Sequence, residues 1–161
     1  EMYDYLMEEL PARGYARYEI SNFARRGYES RHNLGYWRNV PYLGVGAAAH
    51  GYIDGVRWGS EPNTEKYIRA IRAGASVRTP EDAERTRENA MEEYAFLALR
   101  TREGIDEADF HRTFGVRIDA VYGAVIEKYI TQGLLRRANG FTALTNAGMK
   151  LGNEVFAAFL H

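Results

Sequence analysis

One six-residue stretch concentrates the side chains that could do chemistry. It reads His32-Asn33-Leu34-Gly35-Tyr36-Trp37, so an imidazole, a carboxamide, a phenol and an indole lie almost side by side. A neutral imidazole nitrogen ligates metals well, and flat aromatic rings pack against planar ligands. The stretch predicts a site for a planar, metal-bearing ligand with His32 as metal ligand. The alternative is a loop in which these residues make local hydrogen bonds and pack onto the core.

Arginine is concentrated around this stretch. Between positions 13 and 38 six arginines stand against Glu19 and Glu29, a local charge of about +4 in a chain whose net charge is −1. Guanidinium groups bind carboxylates and phosphates in bidentate geometry. Such a patch either meets an anion or forms a solvated face, and the sequence leaves both open. The six are Arg13, Arg17, Arg25, Arg26, Arg31 and Arg38.

A run of small residues follows, Tyr42-Leu-Gly-Val-Gly-Ala-Ala-Ala-His50. Small side chains let the backbone approach a ligand closely, and tight packing of a strand on a helix is the alternative. The run lacks the glycine spacing and the later acidic residue of a dinucleotide fingerprint.

Composition limits the class of protein. The 161 residues, 45% hydrophobic and 27% charged, are enough for one compact domain or two small ones. The sequence has neither an apolar run near the roughly 20 residues of a membrane helix nor a signal peptide, so we expect a soluble cytoplasmic protein. The chain has no cysteine, which excludes disulfides and Cys-ligated zinc or iron–sulfur clusters within it.

Hydrophobic spacing predicts the elements that position these residues. A helix occupies residues 2–10, and because its period starts at once we expect the chain to be a piece of a longer protein. We predict a strand over 15–24, an ordered loop with at most one helical turn over 25–41, and a short buried strand over 42–45.

Turn and cap signals predict the middle of the chain. Asp54-Gly55 is the bend of a hairpin, and Asn63 or Thr64 caps a short helix. Thr79-Pro80-Glu81-Asp82 predicts the start of a helix, with Thr79 as N-cap and Pro80 in the first position, that runs to about Arg102.

The last third predicts a winged-helix-like order of helix, helix, β-hairpin and helix. The helices cover residues 106–113 and 118–132, Asn139-Gly140 joins two strands, and Thr145 caps the final helix. An apolar stripe marks the second helix: Ile118, Val121, Val125 and Tyr129.

A winged helix raises nucleic-acid binding as one function. Residues 105–161 carry six basic and six acidic side chains, whereas DNA-binding modules have a clear basic excess. Only Arg136 and Arg137 in the hairpin favour binding. We therefore expect no nucleic-acid partner, and we keep a protein-interaction module as the other alternative.

Three motifs taken together resemble one family. Tyr18-Glu19-Ile20-Ser21-Asn22-Phe23-Ala24, His32-Asn33-x-x-Tyr36-Trp37 and Tyr42-Leu43-Gly44-Val45-Gly46 resemble the oxygen-independent coproporphyrinogen III oxidase family of radical S-adenosylmethionine (SAM) proteins. Leu144, Thr145 and Gly148 resemble its C-terminal domain. The likeness is greater to the heme-chaperone branch than to the porphyrinogen oxidases. It implies heme binding and transfer, with coproporphyrinogen III dehydrogenation in porphyrin biosynthesis as the alternative.

The resemblance implies an α+β fold: the end of a radical-SAM partial (β/α) barrel followed by a helical, winged-helix-like domain. The implied limits are 1–62 for the barrel end, 63–104 for connecting helices and 105–161 for the last domain. The family's SAM and [4Fe–4S] cluster belong to the full-length protein, because the N-terminal cysteine motif is absent here. We expect this piece alone to be unable to cleave SAM.

The resemblance also implies roles for named residues and partners. Heme or a porphyrin, the missing N-terminal radical-SAM domain and a heme-acceptor protein are the implied partners, and an exposed apolar surface would favour a homodimer. From its residue type alone, Glu19 could act as an acid or base if buried, or it could form an ordinary salt bridge with Arg17 or another nearby arginine; we do not assign it to catalysis. The residues expected to bind heme are His32, Asn33, Tyr36 and Trp37. Those expected to pair with the heme propionates are Arg25, Arg26, Arg31 and Arg38. Those expected to rim the SAM site are Gly44, Gly46, Ala47 and His50.

Overall fold

The computed structural model describes residues 2–80 and 86–160. They belong to two compact units, one of residues 1–39 and 87–161 and the other of residues 40–86. The domain limits implied by the resemblance follow family segments rather than compactness, and they stay a prediction.

The chain alternates short strands with helices throughout. Its first half contains α1 (Met2–Ala12), β1 (Ala16–Arg17), β2 (Phe23–Ala24), α2 (Arg31–Trp37), β3 (His50–Ile53), β4 (Val56–Ser60), α3 (Thr64–Arg72) and β5 (Arg78–Pro80). Its second half contains α4 (Arg87–Leu99), β6 (Ile105–Asp106), α5 (Glu107–Phe114), α6 (Ile118–Thr131), β7 (Leu135–Ala138), β8 (Phe141–Leu144), α7 (Asn146–Lys150) and α8 (Gly152–Ala157).

The second half has the element order of a winged helix, from α4 to β8. Its antiparallel sheet has the order β6-β8-β7. The predicted hairpin is confirmed: Asn139 and Gly140 have φ of 53° and 79°, the two positive values that a type I′ turn requires. The sequence did not indicate β6, because two residues are too few to show an alternating pattern.

The core of the first unit lies between α4, α6, α8 and this sheet. Leu99, Ile105, Phe110, Ile126 and Phe159 are fully buried in it. The predicted stripe on α6 is correct at its ends. Its central buried residues are Tyr122 and Ile126, whereas Val121 and Val125 pack at the margin of the core.

The single strand predicted over residues 15–24 is wrong. Two short antiparallel strands, β1 and β2, replace it, and a tight turn joins them. Glu19 is 1% exposed, and its Oε1 accepts hydrogen bonds from the Ser21 N–H and hydroxyl at 3.1 Å and from the Asn22 amide. Arg17 donates to the Glu19 carbonyl oxygen at 3.2 Å. The Glu19 carboxylate therefore holds a turn rather than forming a salt bridge with Arg17.

The loop predicted over residues 25–41 contains a helix of two turns, α2. Ser30 caps it, since its Oγ accepts from the Asn33 N–H at 3.3 Å. Asn33 and Gly35 are poor helix formers, which concealed the helix in the sequence.

The second unit is built on the antiparallel sheet β3-β4-β5. The predicted hairpin is confirmed, with Asp54 and Gly55 at positive φ in its turn. The buried strand predicted over residues 42–45 is wrong: only Tyr42 pairs with a strand residue, while Leu43 and Val45 are 64% and 81% exposed.

The predicted helix start at Thr79 is also wrong. Thr79 and Pro80 belong to β5, which pairs with β4, and Glu81 and Asp82 lie outside the described residues. The helix itself, α4, begins at Arg87. Threonine and proline do favour helix starts, but pairing with β4 holds the backbone of Thr79 and Pro80 in an extended conformation.

The final predicted helix is divided into α7 and α8. Thr145 caps α7 as predicted, accepting from the Gly148 N–H at 3.0 Å, and the helix breaks at Leu151. In the part of the chain that the structure describes, no helix is both long and apolar enough to cross a bilayer.

Candidate functional site

One side of α2 is fixed to the first unit. The Asn33 amide donates to the Tyr18 hydroxyl at 3.5 Å, and Arg38 forms a 3.0 Å ion pair with Glu103. The Arg100 guanidinium carbon lies 4.5 Å from the centre of a Trp37 ring, a cation–π contact. These contacts orient the helix and leave its opposite side to solvent.

The opposite side of α2 presents His32 and Tyr36. Both are exposed and lie one turn apart, where side chains four residues apart meet. Their rings contact edge to face, with centroids 4.7 Å apart and planes at 80°. An imidazole supported by a phenol ring is thus accessible to a ligand from solvent.

The structure therefore separates the four residues of the predicted heme site into two pairs. His32 and Tyr36 face solvent, whereas Asn33 and Trp37 face the rest of the unit. Asn33 donates to the Tyr18 hydroxyl rather than to the His32 imidazole. Tyr18 and Arg100 hold this second pair. Tyr18 belongs to the first family motif but was given no role, and Arg100 was not singled out, because both roles depend on contacts distant along the chain.

The predicted propionate-pairing arginines are all exposed. Arg31 is the first residue of α2, and Arg25 and Arg26 precede it by six and five residues. Arg25 packs over the Tyr15 ring at 5.2 Å. Arg38 is already paired with Glu103, so of these four it is the least available to an added anion.

Trp37 lines a cleft of about 320 Å³ in the first unit, with Tyr94, Leu97, Ala98 and Phe141. Its indole Nε1 is buried and has no hydrogen-bond partner among the described residues. Tyr94 donates to Asp109 Oδ2 at 2.6 Å. Burial and this bond raise the pKa of Tyr94 above its usual value, so the phenol stays protonated.

The glycine run lies in the second unit and forms a turn rather than a strand. A Cβ at Gly44 would overlap the His50 carbonyl oxygen, and Gly46 has φ of 113°. Gly44 requires glycine because of this close backbone contact, and Gly46 because of its positive φ. Ala47 lies in the turn, and His50 begins β3 with its side chain exposed.

Metal-binding chemistry is limited in the described residues. They contain no group of three or more His, Asp, Glu or Cys side chains placed to hold a metal ion. Without cysteine the chain also cannot supply thiolate ligands to an iron–sulfur cluster. A lone His32 suits a metal whose other ligands come from the ligand itself, as in a metalloporphyrin.

Comparison with known proteins agrees with the motifs. Residues 86–151 match the family model of the HemN C-terminal domain. A solved structure, coproporphyrinogen III oxidase (HemN) from Escherichia coli, described as a radical SAM enzyme, has a TM-score of 0.74 at 15% identity over 97% of this chain and 39% of that chain. At that identity the likeness concerns the fold alone. The chain therefore resembles the HemN C-terminal domain over residues 86–151, and it shares the fold of this solved structure.

Several curated relatives of the chain are heme chaperones. The chain is 41% identical over 160 residues to heme chaperone HemW of Bacillus subtilis (strain 168), and 37% identical over 160 residues to heme chaperone HemW of Lactococcus lactis subsp. lactis (strain IL1403). Each match covers 99% of this chain but 42% and 41% of the relative. The chain therefore spans about two fifths of their length. The resemblance seen in the motifs is confirmed.

Proposed function

We propose that the chain contributes to a heme chaperone, and that α2 carries the surface that receives heme. The observation that carries this proposal is the exposed His32–Tyr36 pair on a helix anchored from behind. The imidazole would ligate the heme iron, and the Tyr36 ring would pack against the porphyrin. Asn33 and Trp37 would act by holding the helix, through Tyr18 and Arg100.

The electrostatics of this surface suit the heme propionates. Arg25, Arg26 and Arg31 lie at or just before the start of α2 and are exposed. Guanidinium groups bind carboxylates in bidentate geometry, so one or two of these side chains would hold the propionates. Arg38 would contribute only after leaving Glu103.

The rest of the proposed activity belongs to the whole protein. Its preceding part would hold the [4Fe–4S] cluster and SAM, and a heme-acceptor protein would be the recipient. The SAM site would be rimmed by Gly44, Gly46, Ala47 and His50. Gly46 supports this role, because a Cβ there would meet no atom within 4 Å, whereas Gly44 packs against the His50 backbone. Porphyrinogen oxidation is less well supported, because the likeness to the oxidase is at 15% identity while the named chaperones share 37–41%.

The ion pairs of Arg137 make DNA binding less well supported as a competing function. It donates to Glu107 and Asp119 through four hydrogen bonds of 2.7 to 3.0 Å. A guanidinium neutralised by two carboxylates is a poor phosphate ligand.

The test is a titration of the chain with hemin and, separately, with metal-free protoporphyrin IX, followed by absorbance in the Soret region. We expect His32→Ala to weaken hemin binding at least about tenfold, the loss of one ligand bond, and to leave protoporphyrin binding unchanged. Tyr36→Ala should weaken both, because the ring contacts the porphyrin plane.

His111→Ala is the matched control, since His111 is an exposed histidine in α5. Circular dichroism checks that each variant is folded. Equal hemin affinity and an unchanged Soret band in His32→Ala and the parent chain would contradict the assignment of His32. Equal losses in His32→Ala and His111→Ala would indicate unspecific binding.

A further inference from the structure

Three arginine side chains converge on one cleft of the first unit. Arg17, Arg102 and Arg136 line a cleft of about 490 Å³. Hydrogen bonds bring them together: the Arg102 N–H donates to the Tyr18 carbonyl oxygen at 3.0 Å, and Arg136 Nη2 donates to the Arg102 carbonyl oxygen at 3.1 Å. Among the described residues that line this cleft there is no aspartate or glutamate.

Arg17 is the buried member of this arginine cluster, at 8% exposed. Its guanidinium donates to the Glu19 carbonyl oxygen, while the Glu19 carboxylate is engaged by Ser21 and Asn22. Burial is the main cause that lowers the pKa of Arg17; the positive charges of Arg102 and Arg136 lower it further, and interactions with Tyr3 and Glu19 oppose this shift. Arginine stays protonated in proteins even when its pKa is lowered. The fold therefore keeps three positive charges close together despite their mutual repulsion.

The same cleft also has an apolar part. Met7 and Pro11 of α1, together with Leu144 and Met149, line it beside the polar residues Thr145 and Asn146. A ligand that satisfies both parts must carry an anionic group at one end and hydrocarbon next to it. Oxyanions suit the cationic part, because guanidinium groups donate paired hydrogen bonds to carboxylate or phosphate oxygens.

We propose that Arg17, Arg102 and Arg136 form a binding site for an organic anion, a carboxylate or phosphate group attached to an apolar chain. Two observations carry the proposal. The cleft is lined by three arginines and by no carboxylate residue, with Arg17 more than nine-tenths buried, and four apolar side chains line the same cleft. The site uses none of the α2 residues assigned to heme, so it goes beyond the proposed function and does not depend on it.

Isothermal titration calorimetry of the whole chain at constant ionic strength tests the site. The probes are hexanoate, hexyl phosphate, inorganic phosphate and hexylammonium. We expect saturable binding of one or both hexyl anions, at least tenfold tighter than that of inorganic phosphate, and no saturable binding of hexylammonium. The preferred headgroup distinguishes a carboxylate ligand from a phosphate ligand.

The exposed arginines are the ones to replace, since Arg17 is buried and its loss could prevent folding. Arg102→Gln and Arg136→Gln should each weaken the hexyl anion at least about tenfold, because each removes charge-assisted hydrogen bonds. Arg72→Gln, an exposed arginine in α3, is the matched control and should bind like the parent. His32→Ala should also bind like the parent, which separates this site from the heme proposal.

Three results would overturn the proposal. They are no saturable binding of either hexyl anion, equal affinity for hexyl anions and hexylammonium, and parental affinity in both Arg102→Gln and Arg136→Gln. Equal affinity for inorganic phosphate and hexyl phosphate would overturn the apolar part of the site.

Discussion

Arg137 forms ion pairs with two carboxylates in the winged-helix domain. It joins Glu107 at the start of α5 to Asp119 at the start of α6. The bond to Arg137 lowers the pKa of Asp119. At Glu107 burial raises the pKa, but the bonds from Arg137 and Thr142 outweigh it, and the net shift is downward. Both carboxylates are therefore more acidic in the folded chain than in the unfolded chain.

We expect Arg137→Gln to lower the free energy of unfolding at pH 7 by about 1 kcal/mol, a value reduced for solvent screening. A carboxyl group with a lowered folded-state pKa stabilises the fold above its unfolded pKa, and this contribution is lost as the pH falls through the folded value. The difference between Arg137→Gln and the parent should thus shrink between pH 7 and pH 2.5 in urea unfolding. Arg72→Gln should show no difference at either pH, and a pH-independent deficit in Arg137→Gln would contradict the pairing.

Substitutions of Trp37 test whether this residue of the His32–Trp37 motif serves only to anchor α2. Its buried N–H has no partner in the described structure, so Trp37→Phe removes an unsatisfied donor while weakening the cation–π contact with Arg100. We expect Trp37→Phe to change the free energy of unfolding by less than about 1 kcal/mol, and Trp37→Ala to lower it by about 2 kcal/mol. Urea unfolding of both variants is the measurement. Equal losses would mean that the indole N–H makes an important bond.

At the scale of elements, we expect Gly→Ala substitutions at two helical glycines to have opposite effects on the free energy of unfolding. In α7 a Cβ at Gly148 would overlap the Leu134 carbonyl oxygen, whereas in α6 a Cβ at Gly123 meets only Asp119 Cβ at 3.7 Å. We expect Gly148→Ala to destabilise the chain by about 1–3 kcal/mol through overpacking against backbone. Gly123→Ala should stabilise it by up to about 1 kcal/mol, because alanine is the better helix former. Thermal unfolding compares them, and stabilisation by Gly148→Ala would show that the backbone contact yields.

The elements that the sequence predicted correctly are those fixed by local chemistry. Asn139-Gly140 has a backbone preference that few contexts override, and Asn63 and Thr145 cap their helices as expected. The failures come from distant contacts. Thr79-Pro80 pairs with β4 instead of starting a helix, and the turn at Glu19 depends on a buried carboxylate that no period reveals.

The candidate site shows the same division between local and distant causes. Motif and spacing placed His32 and Tyr36 on one short segment, and a helical period would have put them on one face. That Trp37 faces inward depends on Arg100, more than sixty positions further along the chain. The cluster of Arg17, Arg102 and Arg136 likewise exists only because the fold joins three separated segments.

At the scale of the whole molecule, the two units differ in how much apolar surface they bury. Among the described residues of the first unit, sixteen buried hydrophobic residues form one core. Within the described residues of the second unit, 40–80, the buried hydrophobic side chains are Tyr52 and Trp58. Because burial of apolar area is the main source of stability, the second unit should open at a lower free energy than the first.

Native-state hydrogen exchange measures this difference, and Trp58 is the residue to change. Trp58 is 6% exposed, packs on Gly51 across the hairpin and lies under the Arg78 guanidinium at 4.1 Å. In the parent chain we expect amides of β3 and β4 to exchange faster than those of α6 and β8. Trp58→Ala removes most of the small core, so it should abolish protection in β3 and β4 while leaving α6 and β8 as slow as in the parent. Equal loss of protection in α6 would mean that the units unfold together, and equal protection of both sheets in the parent would contradict the argument from burial.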